Sequence, residues 1–407
     1  RLAAAPAARA GPGGTAPPAA RHLGLPQEPS VVLAAAGDVV FDRGVRTAIS
    51  AHGADWPLSA VTSTFAGADI GFVNLETALT TGGERFPGKG IWFRSDPAFA
   101  GRLHDAGINV VSLANNHALD YGREAFAATL DVLDAAGVAV SGGGRDAQEA
   151  RRPAVVRQNG ITVAFLSYSE LAPIYWSYTT RQTFMAGPAS PGIPGWNVDR
   201  ILSDIRRIKS MCHHVIVSFH WGDEYARSPR ERQVKLGRAA IDAGASVVLG
   251  HHPHVLQPME VYRSGVIFYS LGNFVFDQKR LHTRDSLIVK LSLKADELDA
   301  VQLIPVFIED CRPQPLRGLE ARAALNRFVA LGRVGGLTEP QVVFADNSGY
   351  VVMDGERGAT GPAGTAAASS GRLQALLWRA SRTPYVASRI SPFPVQLLWA
   401  YGRSGPQ

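Results

Sequence analysis

Cysteine is nearly absent: Cys212 and Cys311 are the two in 407 residues. So sparse a supply excludes a disulfide-built scaffold and a thiolate-rich structural zinc module. Whether the two pair or stay free is open from spacing alone, and with it the redox compartment. Long hydrophobic runs are missing as well, since no uncharged apolar stretch reaches the ~18 residues that a membrane span needs. There is no cluster of one charge sign. The 41 Lys+Arg against 35 Asp+Glu give a net charge of +6 and a pI near 9.4, but the excess lies in dispersed arginines, which argues against nucleic acid as a partner. Acidic residues are missing altogether from 358 to 407. That tail reads either as a segment packing on a membrane surface or partner, or as an extension wrapped on its own domain.

What is present is an ordinary globular composition, 46% hydrophobic and 19% charged. Residues 1–30, rich in Ala, Pro and Gly and without an initiator Met, read as a flexible linker left after removal of a targeting or anchoring segment; a disordered tail is the competing reading. A main domain is expected over 31–310 and an Arg-rich, apolar C-terminal extension over 311–407. Core strands are predicted at 31–40, 68–76, 108–115, 137–144, 161–169, 213–222, 245–255 and 265–274. Amphipathic helices are predicted between them at 96–107, 122–137 and 229–244, each running into a glycine. Strands alternating with helices imply stacked α/β layers. "DSLIVKLSLK" and "DAVQLIPVFI" suggest antiparallel strands closing one side, and a further helix is expected at 318–332.

Histidine is scarce, 11 in all, yet three fall within four positions of "VVLGHHPHVLQP" (247–258). The crowding is part of a pattern. Nearly every predicted core strand ends in residues fit for metal binding or proton transfer: Asp38; Asn74 and Glu76; Asn115, Asn116 and His117; His220; His251, His252 and His254; Asn273. Ligands of α/β sheets bind beyond the carboxyl ends of the strands, so topology alone would bring these groups together. Carboxylate and amide oxygens mixed with imidazoles suit Mn, Fe or Zn, in one or two ions. On an extended loop, His252 and His254 would share a face and His251 would point the other way. His213 and His214, ahead of their strand, read as surface residues.

The segments "GDVV", "NLET", "ANNHALDYG", "FHWGDEY", "GHHPHVLQPME" and "YSLGNFVFD", in this order over roughly residues 31–280, resemble the CapA family of capsule (poly-γ-glutamate) synthesis proteins, a branch of the calcineurin-like metallophosphoesterases. The resemblance implies a four-layer α/β/β/α sandwich. It implies metal ligands at Asp38, Glu76 (in the bridging position), Asn116, His220, His252 and His254. It makes His117 the unligated acid–base histidine. Beside these, Asn74 could supply a further oxygen, and His251 is either a ligand or a hydrogen-bond partner of one. Asn115 could form a hydrogen-bonded turn with its neighbours or contact substrate, and Asn273 braces the histidine loop or lines the pocket. The resemblance further implies a divalent-metal hydrolase, with metal-bound hydroxide as nucleophile, acting on a phosphoester or an anionic polymer outside the cytoplasm. Such a protein would be membrane-associated and would work beside capsule synthase subunits.

This sequence departs from the pattern at Val40, where phosphoesterases carry a second histidine; Asp42 is the nearest substitute. The departure keeps open a different class of protein, a non-hydrolytic polymer-binding subunit of a synthase or export complex. Lys89 and Arg94 could contact an anionic substrate or lie on a solvated loop, and Tyr175 and Trp176 could form a lid or simply pack.

Overall fold

In the computed structural model, whose described residues are 28–174 and 182–353, the apolar runs pair into two large sheets. The larger has ten strands. At its centre Ser30–Val39 runs parallel to Ile70–Leu75, which continues to Val110–Ser112 and Ala139–Ser141. On its other side Ser30–Val39 meets the long antiparallel pair Asp285–Lys294 and Leu298–Glu309. The smaller sheet has six strands, with Ile161–Ser169, His214–His220, Val247–His251 and Gly265–Phe268 parallel and an antiparallel strand at each edge. The parallel strands read as near-continuous β-branched runs because both of their faces are covered.

Three apolar clusters account for the covering. One takes Leu33 and Phe72 from the larger sheet and Val163, Phe165 and Leu249 from the smaller, with Phe72 and Phe165 stacked at 5.4 Å. A second joins Ala34, Val73 and Val111 to Val45, Leu103 and Leu130 of helices Gly44–His52, Phe99–Asp105 and Gly122–Ala135. The third joins Val215, Val217 and Val248 to Ile201, Ile205 and Leu236 of helices Val198–Lys209 and Glu231–Asp242. Adjacent residues of one strand thus serve different clusters, as the two-residue side-chain period requires.

Several expectations need correction. The run 265–274 is two strands: Gly265–Phe268 belongs to the smaller sheet and Asn273–Val275 pairs with Ser30–Val39 in the larger, so the chain changes sheets at "YSLG". Pairing and packing continue past the boundary expected at 310/311. Arg312–Pro315 pairs with Leu298–Glu309, Ser348–Val351 adds to the same strand, and Leu325, Phe328 and Leu331 of helix Gly318–Val334 enter the cluster holding residues of both sheets. His214 opens its strand and is buried, bonded to the Ser246 hydroxyl and the Lys294 carbonyl. Cys212 and Cys311 are free thiols. Most of the expected linker, the tail beyond 353, and Tyr175 and Trp176 lie outside the described residues.

Two glycines separate close strand approach from mere helix propensity. A Cβ on Gly250 would stand 2.0 Å from the Tyr269 carbonyl oxygen, a backbone atom, whereas one on Gly101 meets nothing within 4 Å. Gly250→Ala is therefore expected to lower stability by about 3 kcal/mol or more. Gly101→Ala, inside a helix, should be neutral or raise it by up to ~1 kcal/mol. Urea unfolding of both variants checks the pair, and equal effects would contradict the strand packing.

Candidate metal centre

Register brings the site together. Asp38 is the Cα partner of both Asn74 and Asn273 on its two neighbouring strands. In the smaller sheet His220 stands opposite His251. The backbone closes tightly behind Asp38: its N–H donates to the Gly272 carbonyl at 3.0 Å, and a Cβ on Gly37 would lie 1.9 Å from that same oxygen.

Contacts then link all six expected ligands. His220 Nε2 is 2.7 Å from Asn116 Oδ1 and 3.6 Å from Glu76 Oε1. The His220 and His252 ring centroids are 4.8 Å apart, and those of His252 and His254 are 6.0 Å apart. His254 Nδ1 lies 3.4 Å from Asp38 Oδ2. Glu76, His252 and His254 each offer a ligand atom within 4.8 Å of the others, and all three are buried.

The loop carrying the histidines is not extended. His252 and His254 have φ of 95° and 58°, a region costing of order 1–3 kcal/mol for a non-glycine residue. Local bends, not strand alternation, set where these rings point. His251 does not point away either: its Nδ1 is 3.4 Å from Asp38 Oδ1, although neither ring nitrogen completes a hydrogen bond.

The asparagines are spent on bracing. Asn74 Nδ2 donates to Asp38 Oδ1 at 2.8 Å, and Asn74 Oδ1 accepts from Asn115. Asn115 also donates to the Leu75 carbonyl and accepts from the His117 N–H. Asn273 Oδ1 lies 2.9 Å from His254 Nδ1, and its amide donates to the His254 carbonyl. An oxygen at that ring nitrogen makes Nδ1 the donor and leaves Nε2 as the nitrogen that could bind a metal.

Two residues escaped the reading of motifs. Asp120, three positions after His117 in "NNHALDYG", holds His117 Nδ1 at 2.6 Å; a carboxylate only accepts, so Nδ1 carries the hydrogen and Nε2 is the nitrogen left for chemistry. Lys89, on the loop read as substrate-contacting or solvated, is not solvated. It is buried, forms an ion pair with Asp120 at 2.5 Å and donates to the Asn116 carbonyl. The i,i+3 spacing of His117 and Asp120 was the available signal, whereas nothing in the sequence ties Lys89 to them. Asp42 is also accounted for: it accepts from the N–H groups of Arg43 and Arg94 and pairs with Arg46, which fastens a turn and leaves it outside the cluster. Val40 is buried beside Phe93 and Phe276. Those two rings in turn lie against His117 at 4.1 Å and His254 at 5.0 Å. The Arg94 guanidinium sits 4.5 Å over the Tyr121 ring.

The electrostatics are uneven. Glu76 is fully buried, and neither of its carboxylate oxygens has a hydrogen-bond partner. Burial, with Asp38 nearby, pushes its pKa well above the ordinary carboxyl value. Burial would also raise Asp38, but contacts from His251 and His254 overcome it and hold that group well below normal. Burial pushes His117 down to about 4 and His252 down to about 3, and His220 falls well below its usual value. His254 goes the other way: Glu76 and Asp38 outweigh burial and raise it to about 9. A buried carboxylate without donors among the described residues, beside His220 and His252 held neutral, fits a bound cation; it is otherwise a costly arrangement.

A family description, "Bacterial capsule synthesis protein PGA_cap", matches residues 32–278. The "PGA biosynthesis protein CapA" of Bacillus subtilis (strain 168) is 33% identical over 283 residues, covering 69% of this chain and 72% of that protein. The "Capsule biosynthesis protein CapA" of Bacillus anthracis is 31% identical over 287 residues, 69% of this chain and 68% of that one. A "Probable polyglutamine synthesis accessory protein" of Mycobacterium tuberculosis (strain CDC 1551 / Oshkosh) is 28% identical over 284 residues, 66% of this chain and 74% of that one.

The shifts predict how the metal-free protein responds to pH. His117, His220 and His252 bind their protons less readily folded than unfolded, so each loses stability as pH falls below 6.5. Glu76 and His254 bind theirs more readily folded, so their contributions fade as pH rises; for His254 the fading spans 6.5 to about 9. Three groups outweigh Glu76 on the acid side, and nothing among these offsets it and His254 on the basic side, so stability should peak near pH 6.5. Urea titration of chelator-treated protein from pH 5 to 9 checks this; a monotonic profile would contradict it.

Proposed function

The chain belongs to the bacterial capsule synthesis protein family PGA_cap, and from that premise we propose that it is a metal-dependent hydrolase serving assembly, release or export of an anionic capsule polymer of poly-γ-glutamate type. The observation that carries the reading is Glu76: fully buried, with no donor on either oxygen, and grouped with His252 and His254. We read the three apolar clusters as the interfaces of a four-layer α/β/β/α sandwich of the calcineurin-like type.

In this reading Glu76, His252 and His254 hold a divalent cation, one or two ions of Mn, Fe or Zn, with Asp38, His220 and Asn116 completing the set. A cation there supplies Lewis acidity and a water-derived nucleophile at neutral pH. The protein's own groups do the rest. Asp120 orients His117 through Nδ1 and leaves Nε2 unprotonated, so that Nε2 would take up the proton released on the attacking side and return it to the leaving group. Lys89 fixes the Asp120 carboxylate through their ion pair. Asn74 and Asn273 aim Asp38 and His254. Phe93 and Phe276 wall the imidazoles from water. The place of action is outside the cytoplasm, at the membrane, beside synthase subunits.

A second reading has its own support. Val40 stands where the phosphoesterase pattern places a histidine, and Asp42 is occupied elsewhere. A site short of one ligand suits a non-hydrolytic polymer-binding subunit.

Chelator-treated protein reloaded with Mn²⁺ should bind stoichiometric metal, and Glu76→Gln should reduce that binding. Turnover is sought on phosphodiester and poly-γ-glutamate substrates. His117→Ala should lower it by roughly 10²–10⁴-fold with metal content retained. Stoichiometric metal without turnover on either substrate class overturns the hydrolase reading and leaves the binding one.

A further inference from the structure

Away from the imidazole cluster, a groove of about 760 Å³ runs beside helix Val198–Lys209, and four arginines line it: Arg151, Arg152, Arg200 and Arg207. Trp196 is the aromatic in its wall, and no acidic side chain is part of the lining. None of these residues belongs to the candidate metal centre.

The charge is held there on purpose-built supports. Asp204, buried beneath the groove, takes two hydrogen bonds from Arg151 at 3.0 and 2.6 Å and one from the Tyr168 hydroxyl at 3.0 Å. It also lies 3.6 Å from Arg207. One carboxylate thus fixes two guanidiniums and neutralises only one. Arg152 and Arg200 are exposed and make no ion pair among the described residues. The opposite wall, around Met185, is pinned by Arg123, whose guanidinium donates to the Thr183, Met185 and Pro191 carbonyls. Trp196 is anchored edge-on against Phe219 at 5.8 Å. Nearby acids are engaged or outside: Glu149 is tied to Arg145, and Asp199 lies exposed on the helix's first turn.

We propose that this groove is a binding subsite for a polycarboxylate chain, separate from the candidate metal centre. The inference rests on the reading that the protein serves an anionic polymer and names where that polymer is gripped. Guanidiniums match carboxylates through paired N–H donors, and a rigid groove loses little freedom on binding. Length points to a chain and not a single acid. Arg200 and Arg207 are seven residues apart, ~10 Å along the helix, while an extended peptide advances ~3.5 Å per α-linked residue and further for a γ-linked one. The groove therefore meets about two or more successive repeats.

The test uses fluorescence anisotropy of a short fluorescein-labelled γ-linked glutamate oligomer with the full chain, both chelator-treated and Mn²⁺-loaded. Binding should occur in both forms and weaken as salt rises. The Arg152→Glu/Arg200→Glu double variant should bind at least about tenfold more weakly. Arg152→Gln/Arg200→Gln should show a smaller loss in the same direction, with thermal melts showing both variants folded. Undiminished binding by the folded double variants overturns the groove but leaves the polymer reading intact. No binding by the wild-type chain overturns the polymer reading itself. Equally tight binding of heparin or a DNA oligomer, with the same loss in the variants, overturns the assignment to carboxylate.

Discussion

A carboxylate that nothing among the described residues satisfies is the constraint around which this molecule is arranged. Glu76 lies where water does not reach, and neither oxygen accepts a hydrogen bond. Ionised and alone, such a group costs several kcal/mol. Asp38, equally buried, is treated in the opposite way: Asn74 donates to it, and His251 and His254 crowd it. The two acids are therefore driven to opposite protonation preferences by their surroundings alone. Three imidazoles near them are pushed toward the neutral form, the form in which a ring nitrogen has a lone pair to give. A divalent cation would relieve both problems together, lending charge to the acid and accepting the lone pairs of His220 and His252, with His117 left unligated.

The fold earns this arrangement by meeting two sheets at their strand ends. Ser30–Val39 and Ile70–Leu75 bring Asp38, Asn74 and, just beyond, Glu76; His214–His220 and Val247–His251 bring the imidazoles from the other sheet. The chain crosses between sheets at "YSLG", and that crossing sets Asn273 against both Asp38 and His254. Backbone strain at His252 and His254 is tolerated because Asn273 and the tight approach at Gly37 and Gly272 fix the loop from behind.

Much of this was legible in the sequence, for definite reasons. Parallel strands covered on both faces announce themselves as unbroken apolar runs, and their polar ends stand out by contrast, which is why Asp38, Glu76, Asn116, His220, His252 and His254 could be named together. What stayed hidden depends on non-local contact. Lys89 on a Gly/Pro-rich loop carries no local mark of the ion pair it makes with Asp120. The strands at 312–315 and 348–351 are four residues long, too short for alternation to speak, so the sheet seemed to end near 310. His252 and His254 looked extended because the positive φ of a non-glycine residue leaves no trace in composition. The arginine groove was likewise invisible, since its arginines come from separate elements at 151–152 and 200–207 and read as dispersed charge.

The departure at Val40 and the retention of His117 pull in opposite directions, and the surroundings of His117 weigh the more. Val40 packs against Phe93 and Phe276, so the position where the phosphoesterase pattern would place a histidine forms apolar wall here, which by itself does not separate binding from hydrolysis. Behind His117 the protein buries an ion pair, Lys89 with Asp120, whose desolvation is expensive and whose replacement by apolar residues would be neutral or favourable for stability. That outlay fixes the ring's tautomer and leaves Nε2 unprotonated. A subunit that only held a polyanion would want positive charge at this place, and burial instead keeps the imidazole neutral. The groove lined by Arg151, Arg152, Arg200 and Arg207 already offers that charge elsewhere. A grip on the chain in the groove and proton exchange at His117, as proposed, would be a division of labour that hydrolysis requires and simple binding does not.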